Sequence, residues 1–127
     1  MTGVVIDNSA AVILTAKASL GQDNTQHYAP ELIDLEFANT LRKLVLRGKL
    51  DEEEAKRYIE DWSANSLIRC DHTMLLNRVW ELRNNITPYD AAYVALAEAL
   101  EVPLVTGDLR LARAAAPYCD VVTVSAA

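Results

Sequence analysis

Residues 4–9 have the sequence Val-Val-Ile-Asp-Asn-Ser, a short β-branched run that stops at residue types which start turns and cap helices. This stretch predicts a buried strand over 4–6 and a helix over 9–18. Short apolar strands that alternate with helices along a chain form parallel sheets with helices on both faces. The stretch therefore predicts an α/β fold.

The rest of the chain continues this alternation. Pro30 stands at a first-turn position for a second helix that Gly48 closes, and the acids at 51–54 suit the first turn of a third helix. We predict helices over 30–47, 51–65, 72–84, 88–101 and 109–115, strands over 67–70, 103–106 and 121–124, and a polar loop over 21–24. No linker or repeat interrupts the pattern, so we expect a single domain over 1–127 with a central parallel sheet.

The composition is that of an ordinary globular chain, with 127 residues of which 51% are hydrophobic and 24% charged. A chain of this length buries about 68% of its unfolded surface and needs no metal or disulfide staples. Cys70 and Cys119 have no partner at metal-ligand spacing, which fits reduced thiols. The apolar stretch 91–97 is far shorter than the ~20 residues of a membrane span, and residues 1–4 lack a basic leader. We expect a cytoplasmic protein without a membrane partner.

Three aspartates stand where a parallel sheet gathers functional groups. Asp7 directly follows the first strand, and Asp108 follows residues 104–106 after one glycine. Asp90 lies in the first turn of the predicted helix over 88–101. Ligands of open α/β sheets bind beyond the carboxyl ends of the strands. We therefore expect these three carboxylates at one rim of the sheet.

A fourth acid, Glu36, lies on the predicted helix over 30–47. Counting 100° per residue separates this helix into a broad apolar arc and a polar stripe. The stripe contains Glu36, Asn39, Thr40, Lys43 and Arg47. Glu36 therefore neighbours polar and basic side chains. Asp34 falls inside the apolar arc, a position that the pattern does not explain.

Each acid also has a purely structural explanation. Asp7 and Asp108 precede helices and could cap them, residues 87–90 match a capping box with Asp in place of Glu, and Glu36 could lie on a solvated face. Capping explains an acid before any one helix. It does not explain why two strand ends and one helix start carry aspartates that a parallel sheet gathers at one rim. The joint arrangement therefore favours a functional site.

Converging acids need a counter-charge. Two unit charges ~5 Å apart at an effective dielectric of ~20 repel by roughly 3 kcal/mol. An all-oxygen site without His or Cys suits Mg²⁺ or Mn²⁺, and these ions serve phosphoryl chemistry. Two such ions would offset the four acids, so the net charge of −6 does not exclude a nucleic acid partner. Lys43, Arg47 and Arg110 are then candidates for phosphate contacts.

Four segments carry motifs in a fixed order. They are Val5-Ile6-Asp7-Asn8-Ser9-Ala10, Pro30-Glu31-Leu32 leading to Glu36-Phe37-Ala38-Asn39-Thr40-Leu41, Tyr89-Asp90-Ala91-Ala92-Tyr93-Val94-Ala95-Leu96-Ala97, and Leu104-Val105-Thr106-Gly107-Asp108. Together they resemble the PIN-domain ribonucleases, and most of all the VapC toxins of VapBC toxin–antitoxin modules. The resemblance spans residues 4–124, although residues 51–83 match only in length and helical character.

The resemblance implies a PIN-like fold and a Mg²⁺- or Mn²⁺-dependent endoribonuclease. Its catalytic and metal-binding acids would be Asp7, Glu36, Asp90 and Asp108. Its supporting polar groups would be Thr106, Asn39 and, as a weaker candidate, Ser9. The resemblance also implies in-line attack of water on an RNA phosphodiester, leaving a 5′-phosphate and a 3′-hydroxyl. A homodimer is implied too, with inhibition by a small VapB-like antitoxin whose C-terminal segment crosses the active-site groove.

Other classes fit the sequence less well. A haloacid-dehalogenase-like phosphatase would need a second Asp two residues after Asp7, where a serine stands, and a receiver domain would need a Lys after a late strand. An inactive PIN-like protein-interaction module and a housekeeping nuclease that is not a toxin are open alternatives. We interpret Trp62 and Trp80 as packing or dimer residues, Tyr93 as core, and His27 as a surface or capping residue.

Overall fold

The structure, a computed structural model, describes residues 3–126. Met1, Thr2 and Ala127, the ends of the predicted domain, lie outside the described residues. The strands are β1 (Gly3–Ile6), β2 (Gln26–Pro30), β3 (Ile68–Cys70), β4 (Leu104–Thr106) and β5 (Val121–Thr123). The helices are α1 (Asn8–Ala16), α2 (Ile33–Leu46), α3 (Glu52–Ser63), α4 (Leu76–Glu81), α5 (Pro88–Leu100) and α6 (Leu109–Ala115), with a 3-10 turn over Thr73–Leu75 before α4.

All five strands belong to one parallel sheet with the order β3-β2-β1-β4-β5. The central strand β1 pairs with β2 through Val5 and Tyr28, and with β4 through Ile6 and Val105. Helix α5 packs against β1, β2 and β4, whereas α1 contacts β4, α2 and α3. The predicted fold class, an α/β fold with a central parallel sheet flanked by helices, is confirmed.

Helix α5 forms the centre of the core because its sequence is apolar on every side. All residues from 91 to 97 are buried, which is expected for a helix without a polar face. The strands β1 and β4 contribute Val5, Ile6 and Leu104, each with no exposed surface. Among the helices of residues 3–126, none has the length and apolar character needed to cross a membrane.

The structure corrects the prediction that a helix begins at Pro30. Pro30 is the last residue of β2, a strand that the sequence did not predict, and α2 begins three residues later at Ile33. Proline lacks an N–H, but the next ladder bond is made by the N–H of Glu31, which donates to the Cys70 carbonyl at 3.1 Å. The fixed φ of proline suits a strand end as well as a first helical turn, so the signal at Pro30 was ambiguous.

The predicted helix over 72–84 is also shorter in the structure. Asp71 accepts a hydrogen bond from the Thr73 N–H at 2.9 Å, which forms a turn before the 3-10 segment. The helix α4 then ends at Glu81, and residues 82–85 continue as turns. Asn84 and Asn85 favour turns because their side chains compete with helical hydrogen bonds.

Candidate active site

The carboxyl ends of β1 and β4 place two of the predicted acids side by side. These strands are parallel neighbours, with Ile6 opposite Val105. The chain leaves β1 at Asp7, whose N–H donates to the Val105 carbonyl at 3.1 Å. Asp108 follows β4 at the same edge of the sheet, and its charge acts on Asp7. The expected proximity of these two residues follows from the parallel pairing.

Asp7 is the most enclosed of the four acids, with 5% of its surface exposed. Its Oδ1 accepts from the Ser9 hydroxyl at 2.7 Å and the Ala10 N–H at 2.9 Å, and its Oδ2 accepts from the Thr106 hydroxyl at 2.5 Å. Burial raises the pKa of Asp7; these hydrogen bonds oppose the rise, and the charge of Asp108 adds to it. Asp7 is therefore a fixed carboxylate that holds its proton more tightly than a free aspartate.

Thr106 and Ser9 connect the end of β4 to the start of α1. Thr106 is fully buried, and its Oγ1 also accepts from the Asp108 N–H at 3.0 Å. The Ser9 Oγ accepts from the Gly107 N–H at 2.8 Å. A Cβ at Gly107 would lie 2.6 Å from the terminal Cδ1 of Ile13 in α1, so a larger residue here would require that side chain to move. Both side chains thus hold the Asp7 carboxylate in place, and the supporting role predicted for Thr106, and more weakly for Ser9, stays a prediction.

Glu36 projects from α2 and is held by a buried tyrosine of α5. The Tyr93 hydroxyl donates to Glu36 Oε1 at 2.5 Å, and Tyr93 is 1% exposed. Burial raises the pKa of Glu36, the hydrogen bond from Tyr93 lowers it, and the charges of Asp90 and Asp7 raise it further. Burial and the nearby Glu36 also raise the pKa of Tyr93. The hydroxyl therefore stays protonated and keeps donating to the carboxylate.

Asp90 is the third residue of α5, next to the rim of the sheet. The Thr87 side chain caps this helix by accepting a hydrogen bond from the Asp90 N–H at 3.3 Å. Burial is the largest cause of the raised pKa of Asp90; repulsion from Asp108 and Asp7 adds to it, and the cation of Arg110 opposes it. The cap of α5 is thus the Thr87 side chain and not the Asp90 carboxylate.

The four acids form one electrostatic cluster. Asp7 interacts with the charges of the other three, and Asp90 also interacts with those of Glu36 and Asp108. The ion pairs within residues 3–126 do not include any of these acids. Their mutual repulsion is therefore not relieved by a paired lysine or arginine.

The donor set of this cluster fits a hard dication in its chemistry. All four side chains are carboxylates, and oxygen ligands are those that Mg²⁺ and Mn²⁺ prefer. Burial is the largest cause of the raised pKa values of Asp7, Glu36 and Asp90, and repulsion from neighbouring acids adds to each; a dication would relieve that repulsion. As positioned, no three Asp, Glu, His or Cys side chains of the described chain converge closely enough to enclose an ion.

The remaining predicted residues lie on exposed parts of the same elements. Asn39 is exposed on α2, as are Lys43 and, at the helix end, Arg47. Arg110 is exposed in the first turn of α6, where its charge reaches Asp90. Arg110 therefore lies close enough to the acids for its charge to act on Asp90. Asn39 forms no hydrogen bond with another part of the described chain.

Two residues near the acids were not predicted as site residues. Tyr93 was interpreted as a core residue, although it lies one helical turn after Asp90 and therefore on the same face of α5. Asn8 directly follows Asp7, and its Nδ2 donates to the Thr40 hydroxyl of α2 at 2.8 Å. The Asn8 Oδ1 is buried and has no hydrogen-bond partner among the described residues. The spacing of three residues between Asp90 and Tyr93 could have identified Tyr93 as a site residue from the sequence.

The structural explanation applies to two of the acids, while the functional one stays a prediction. Asp7 caps α1 through the Ala10 N–H, and Asp108 caps α6 through the N–H groups of Arg110 and Leu111. In each case the cap uses only one carboxylate oxygen for backbone contacts. Capping therefore orients these two acids at the rim of the sheet.

The chain belongs to the PIN-domain family, whose family model matches residues 4–117. Curated relatives carry ribonuclease names. The chain is 38% identical over 126 residues to VapC ribonuclease Mb0985 of Mycobacterium bovis, a match that covers 95% of this chain and 98% of the relative. It is 44% identical over 94 residues to ribonuclease VapC1 of Mycobacterium tuberculosis, covering 73% of this chain and 71% of the relative.

Solved structures share the fold at lower sequence identity. PAE2754 from Pyrobaculum aerophilum superposes with a TM-score of 0.74 and 23% identity, covering 97% of this chain and 91% of that one. VapBC2 from Rickettsia felis, solved bound to a DNA fragment from its promoter, superposes with a TM-score of 0.68 and 15% identity. That match covers 95% of this chain and 98% of the other. The predicted resemblance to the PIN-domain family is confirmed.

Proposed function

We propose that this protein is a metal-dependent endoribonuclease and the toxin of a type II toxin–antitoxin module. Its catalytic and metal-binding acids are Asp7, Glu36, Asp90 and Asp108. The observation that carries the proposal is the clustering of four carboxylates from separate elements, three of them with raised pKa values and none in an ion pair within residues 3–126. The ribonuclease names of relatives that match most of the chain support the choice of reaction.

Mg²⁺ or Mn²⁺ would be held by the four carboxylates. When bound, the ion supplies the charge neutralisation and the activation of water that phosphodiester hydrolysis requires. Ser9 and Thr106 keep the Asp7 carboxylate in one orientation, and Tyr93 does the same for Glu36. The chain thus prepares the orientation of two of its ligands in advance, which reduces the reorganisation needed at the site.

Glu36 is suited to accept a proton from the attacking water. Its pKa is raised, and a general base works best when its pKa approaches the operating pH. Tyr93 occupies one of its oxygens, and the lone pairs of the other oxygen would serve both the ion and the water beside it. The water oxygen bonds to phosphorus as the bond to the ribose 3′-oxygen breaks. Hydrolysis then leaves a 5′-phosphate and a 3′-hydroxyl.

Three exposed cations are proposed to contact RNA phosphates. Arg110 is the nearest to the acids, because its charge reaches Asp90. Lys43 lies on the same helix as Glu36, seven residues further on and thus about 10 Å along the axis. Arg47 extends this line to the end of α2. Such contacts position the strand without reading its sequence.

We further propose a homodimer, a VapB-like antitoxin partner and a cytoplasmic location. The 3-10 turn and α4 expose Met74 (90%), Leu76 (56%) and Trp80 (67%), an apolar stretch suited to a dimer contact. Leu35, 78% exposed beside Glu36, could be covered by an antitoxin segment that crosses the acids. The two cysteines are free, which fits a reducing compartment.

The Asp90→Asn variant tests the nuclease proposal. We expect cleavage of a single-stranded RNA in Mg²⁺ to fall by about 100- to 1,000-fold, the scale on which a group that stabilises the transition state contributes. Asp120→Asn, the same change at an exposed residue before β5, should cleave like the wild type. Equal cleavage by Asp90→Asn and the wild type would contradict the site. No cleavage by the wild type would favour an inactive interaction module.

Growth of cells separates a toxin from a housekeeping nuclease. Induction of the wild-type chain alone should arrest growth, whereas Asp90→Asn should not. Co-expression of a small protein encoded immediately upstream should restore growth if that protein is the antitoxin. Unimpaired growth on induction of an active enzyme would favour the housekeeping nuclease.

A further inference from the structure

Three exposed apolar side chains stand next to three of the four acids. Leu35 precedes Glu36, Tyr89 precedes Asp90, and Leu109 follows Asp108. Their exposed fractions are 78%, 65% and 61%, so all three can be reached from the solvent. Consecutive Cα atoms are about 3.8 Å apart, and each apolar side chain therefore starts beside a carboxylate. We call Leu35, Tyr89 and Leu109 the apolar rim.

The topology explains why the apolar rim borders the acids. Leu35 is the third residue of α2, Tyr89 the second of α5 and Leu109 the first of α6. Helices α2 and α6 each follow a strand of the parallel sheet and therefore begin at its carboxyl edge. The interaction of Asp90 with Asp108 and Asp7 places the start of α5 at the same edge. Because Cα–Cβ bonds tilt toward the N-terminus of a helix, these first-turn side chains lean toward the acids.

A contact on the same helix face defines the position of Tyr89 further. Tyr89 and Tyr93 are four residues apart and lie on one face of α5, with Tyr89 one turn nearer the N-terminus. The Tyr93 hydroxyl donates to Glu36 Oε1, so this face of α5 is turned toward Glu36. Tyr93 is buried and Tyr89 is exposed. The ring of Tyr89 therefore stands on the solvent side of the Tyr93–Glu36 pair.

The chemistry of the apolar rim fits the unpaired bases of an RNA strand. An aromatic ring is a platform on which any base can stack, because every base has a π-face. In a duplex the neighbouring bases cover these faces, so only an unpaired and unstacked base can reach such a platform. Arg110, exposed directly after Leu109, adds a cation for a phosphate of the same strand.

A protein segment fits the apolar rim less well. An amphipathic helix docks its apolar stripe into a continuous apolar groove. Here each apolar side chain is next to a carboxylate and comes from a different helix. Such separate contacts suit a chain whose bases and phosphates alternate, with a phosphate at the acids and bases on the apolar side chains.

We propose that the apolar rim holds bases of the RNA substrate. The Tyr89 ring stacks on a base next to the phosphate bound at the acids, and Leu35 and Leu109 pack against neighbouring bases. This inference rests on the proposed nuclease function and adds the residues that contact the bases. Stacking does not read base edges, so the rim selects unpaired RNA while tolerating different sequences.

Fluorescence anisotropy of labelled decauridylate in Mg²⁺ tests the base contact. All proteins carry Asp90→Asn, which keeps the RNA intact. Tyr89→Ala should raise the Kd about tenfold, the effect of losing one stacked base, whereas Tyr89→Phe keeps the ring and should bind like the parent. Leu35→Ala and Leu109→Ala should each weaken binding severalfold through lost apolar contact. Leu46→Ala, a 70% exposed leucine about 16 Å further along α2, should leave the Kd unchanged.

Two further probes separate a base contact from other effects. A chain of ten ribose phosphates without bases should bind equally weakly to Tyr89→Ala and its parent, because neither can stack on it. A duplex of decauridylate and decaadenylate should bind more weakly than decauridylate, because its base faces are covered. The proposal is overturned if Tyr89→Ala weakens binding of both single chains equally, if the duplex binds as tightly as decauridylate, or if no probe binds.

Cleavage kinetics distinguish failure of this proposal from failure of the nuclease proposal. In the otherwise wild-type chain, Tyr89→Ala should raise KM for a single-stranded RNA about tenfold with kcat nearly unchanged, whereas Asp90→Asn lowers kcat. No cleavage by the wild type would contradict the nuclease proposal. Cleavage by the wild type with unchanged KM and Kd for Tyr89→Ala would overturn the base contact alone. If Tyr89→Ala weakened only inhibition by an antitoxin, the apolar rim would be a protein contact and the RNA proposal would be wrong.

Discussion

The hydroxyl of Tyr93 is the polar end of a side chain that otherwise belongs to the core. The ring is 1% exposed within α5, and the hydroxyl reaches Glu36 on α2 at 2.5 Å. Buried tyrosine hydroxyls need a partner, and here the partner is one of the four acids. One residue thus packs the core and positions a carboxylate.

Tyr93→Phe isolates the positioning effect. The ring stays, so the melting temperature should change little, but Glu36 loses its donor and cleavage should fall about tenfold. The hydrogen bond lowers the pKa of Glu36, so its loss should move the acidic limb of the pH–rate profile to higher pH. Tyr89→Phe, an exposed tyrosine one turn earlier, should change neither quantity. An unaltered profile for Tyr93→Phe would show that the hydroxyl does not act on Glu36.

The raised pKa of Asp90 predicts how the stability of the fold depends on pH. Its folded pKa is raised above 3.8 by burial and by Asp108 and Asp7. The folded chain therefore binds this proton more tightly than the unfolded chain, and the associated stability is complete below about pH 4 and is lost as pH rises through the raised value. In EDTA, the free energy of unfolding of Asp90→Asn minus that of the wild type should therefore increase between pH 4 and pH 7.

Urea unfolding at several pH values measures this difference. Asp120→Asn provides the matched control, because its side chain is exposed and the residue lies at the amino end of β5, at the opposite edge of the sheet from the acidic cluster. The difference between Asp120→Asn and the wild type should stay flat over the same range. A flat difference for Asp90→Asn as well would mean that neither burial nor the neighbouring acids raise the pKa of its carboxyl group in the folded protein.

At the scale of elements, Asp34 connects three of them. It projects from α2, accepts from the Trp62 Nε1 of α3 at 2.7 Å, and forms an ion pair with Arg69 of β3 at 2.6 Å. Trp62 also stacks on Phe37 with ring centroids 4.7 Å apart. The position of Asp34 inside an apolar arc is thus explained, because the tryptophan it meets is buried and needs an acceptor.

Asp34→Ala should destabilise this junction. The ion pair is about one-third exposed on each side and contributes little alone, but the variant also leaves the buried Trp62 N–H unpaired. We expect a loss of about 1–2 kcal/mol in the free energy of unfolding. Glu60→Ala, an exposed residue of α3, should stay within about 0.5 kcal/mol of the wild type. Equal stabilities of Asp34→Ala and the wild type would indicate that water replaces the Asp34 carboxylate as the acceptor for the Trp62 N–H.

At the scale of the whole molecule, the acidic cluster exists only because four elements meet. The acids come from the ends of β1 and β4 and from the helices α2 and α5. The net charge of −6 adds to their repulsion, and none of the four acids is ion-paired within the described chain. Such a site stores unfavourable electrostatic energy that binding of a dication would release.

Added Mg²⁺ should therefore raise the melting temperature of the wild type more than that of Asp7→Asn. Asparagine can still cap α1, so the variant keeps the fold and loses one ligand. At a free ion concentration of 100 times the dissociation constant, binding adds about 2.7 kcal/mol of stability. Differential scanning calorimetry with and without Mg²⁺ measures both shifts. Shifts of the same size would point to a nonspecific ion effect.

Much of the fold was predictable because its signals are local. The β-branched run before Asp7 and the all-apolar stretch of α5 predicted a buried strand and a buried helix, and both are present. The strand β2 was not predictable in the same way. Its first residues are polar, its last is Pro30, and it becomes a strand only because β1 and β3 lie on either side of it. Tertiary context overrides weak local preference at such positions.

The residue types and spacings alone predicted the parallel α/β architecture and the PIN-domain resemblance, and they suggested the four acids that we propose as the site. Each of these depends on short-range patterns that survive in a linear sequence. Only the tertiary structure decided that Tyr93 holds Glu36 and that Asp34 serves Trp62. These contacts join residues that are far apart along the chain, and their geometry is set by helix packing against the sheet.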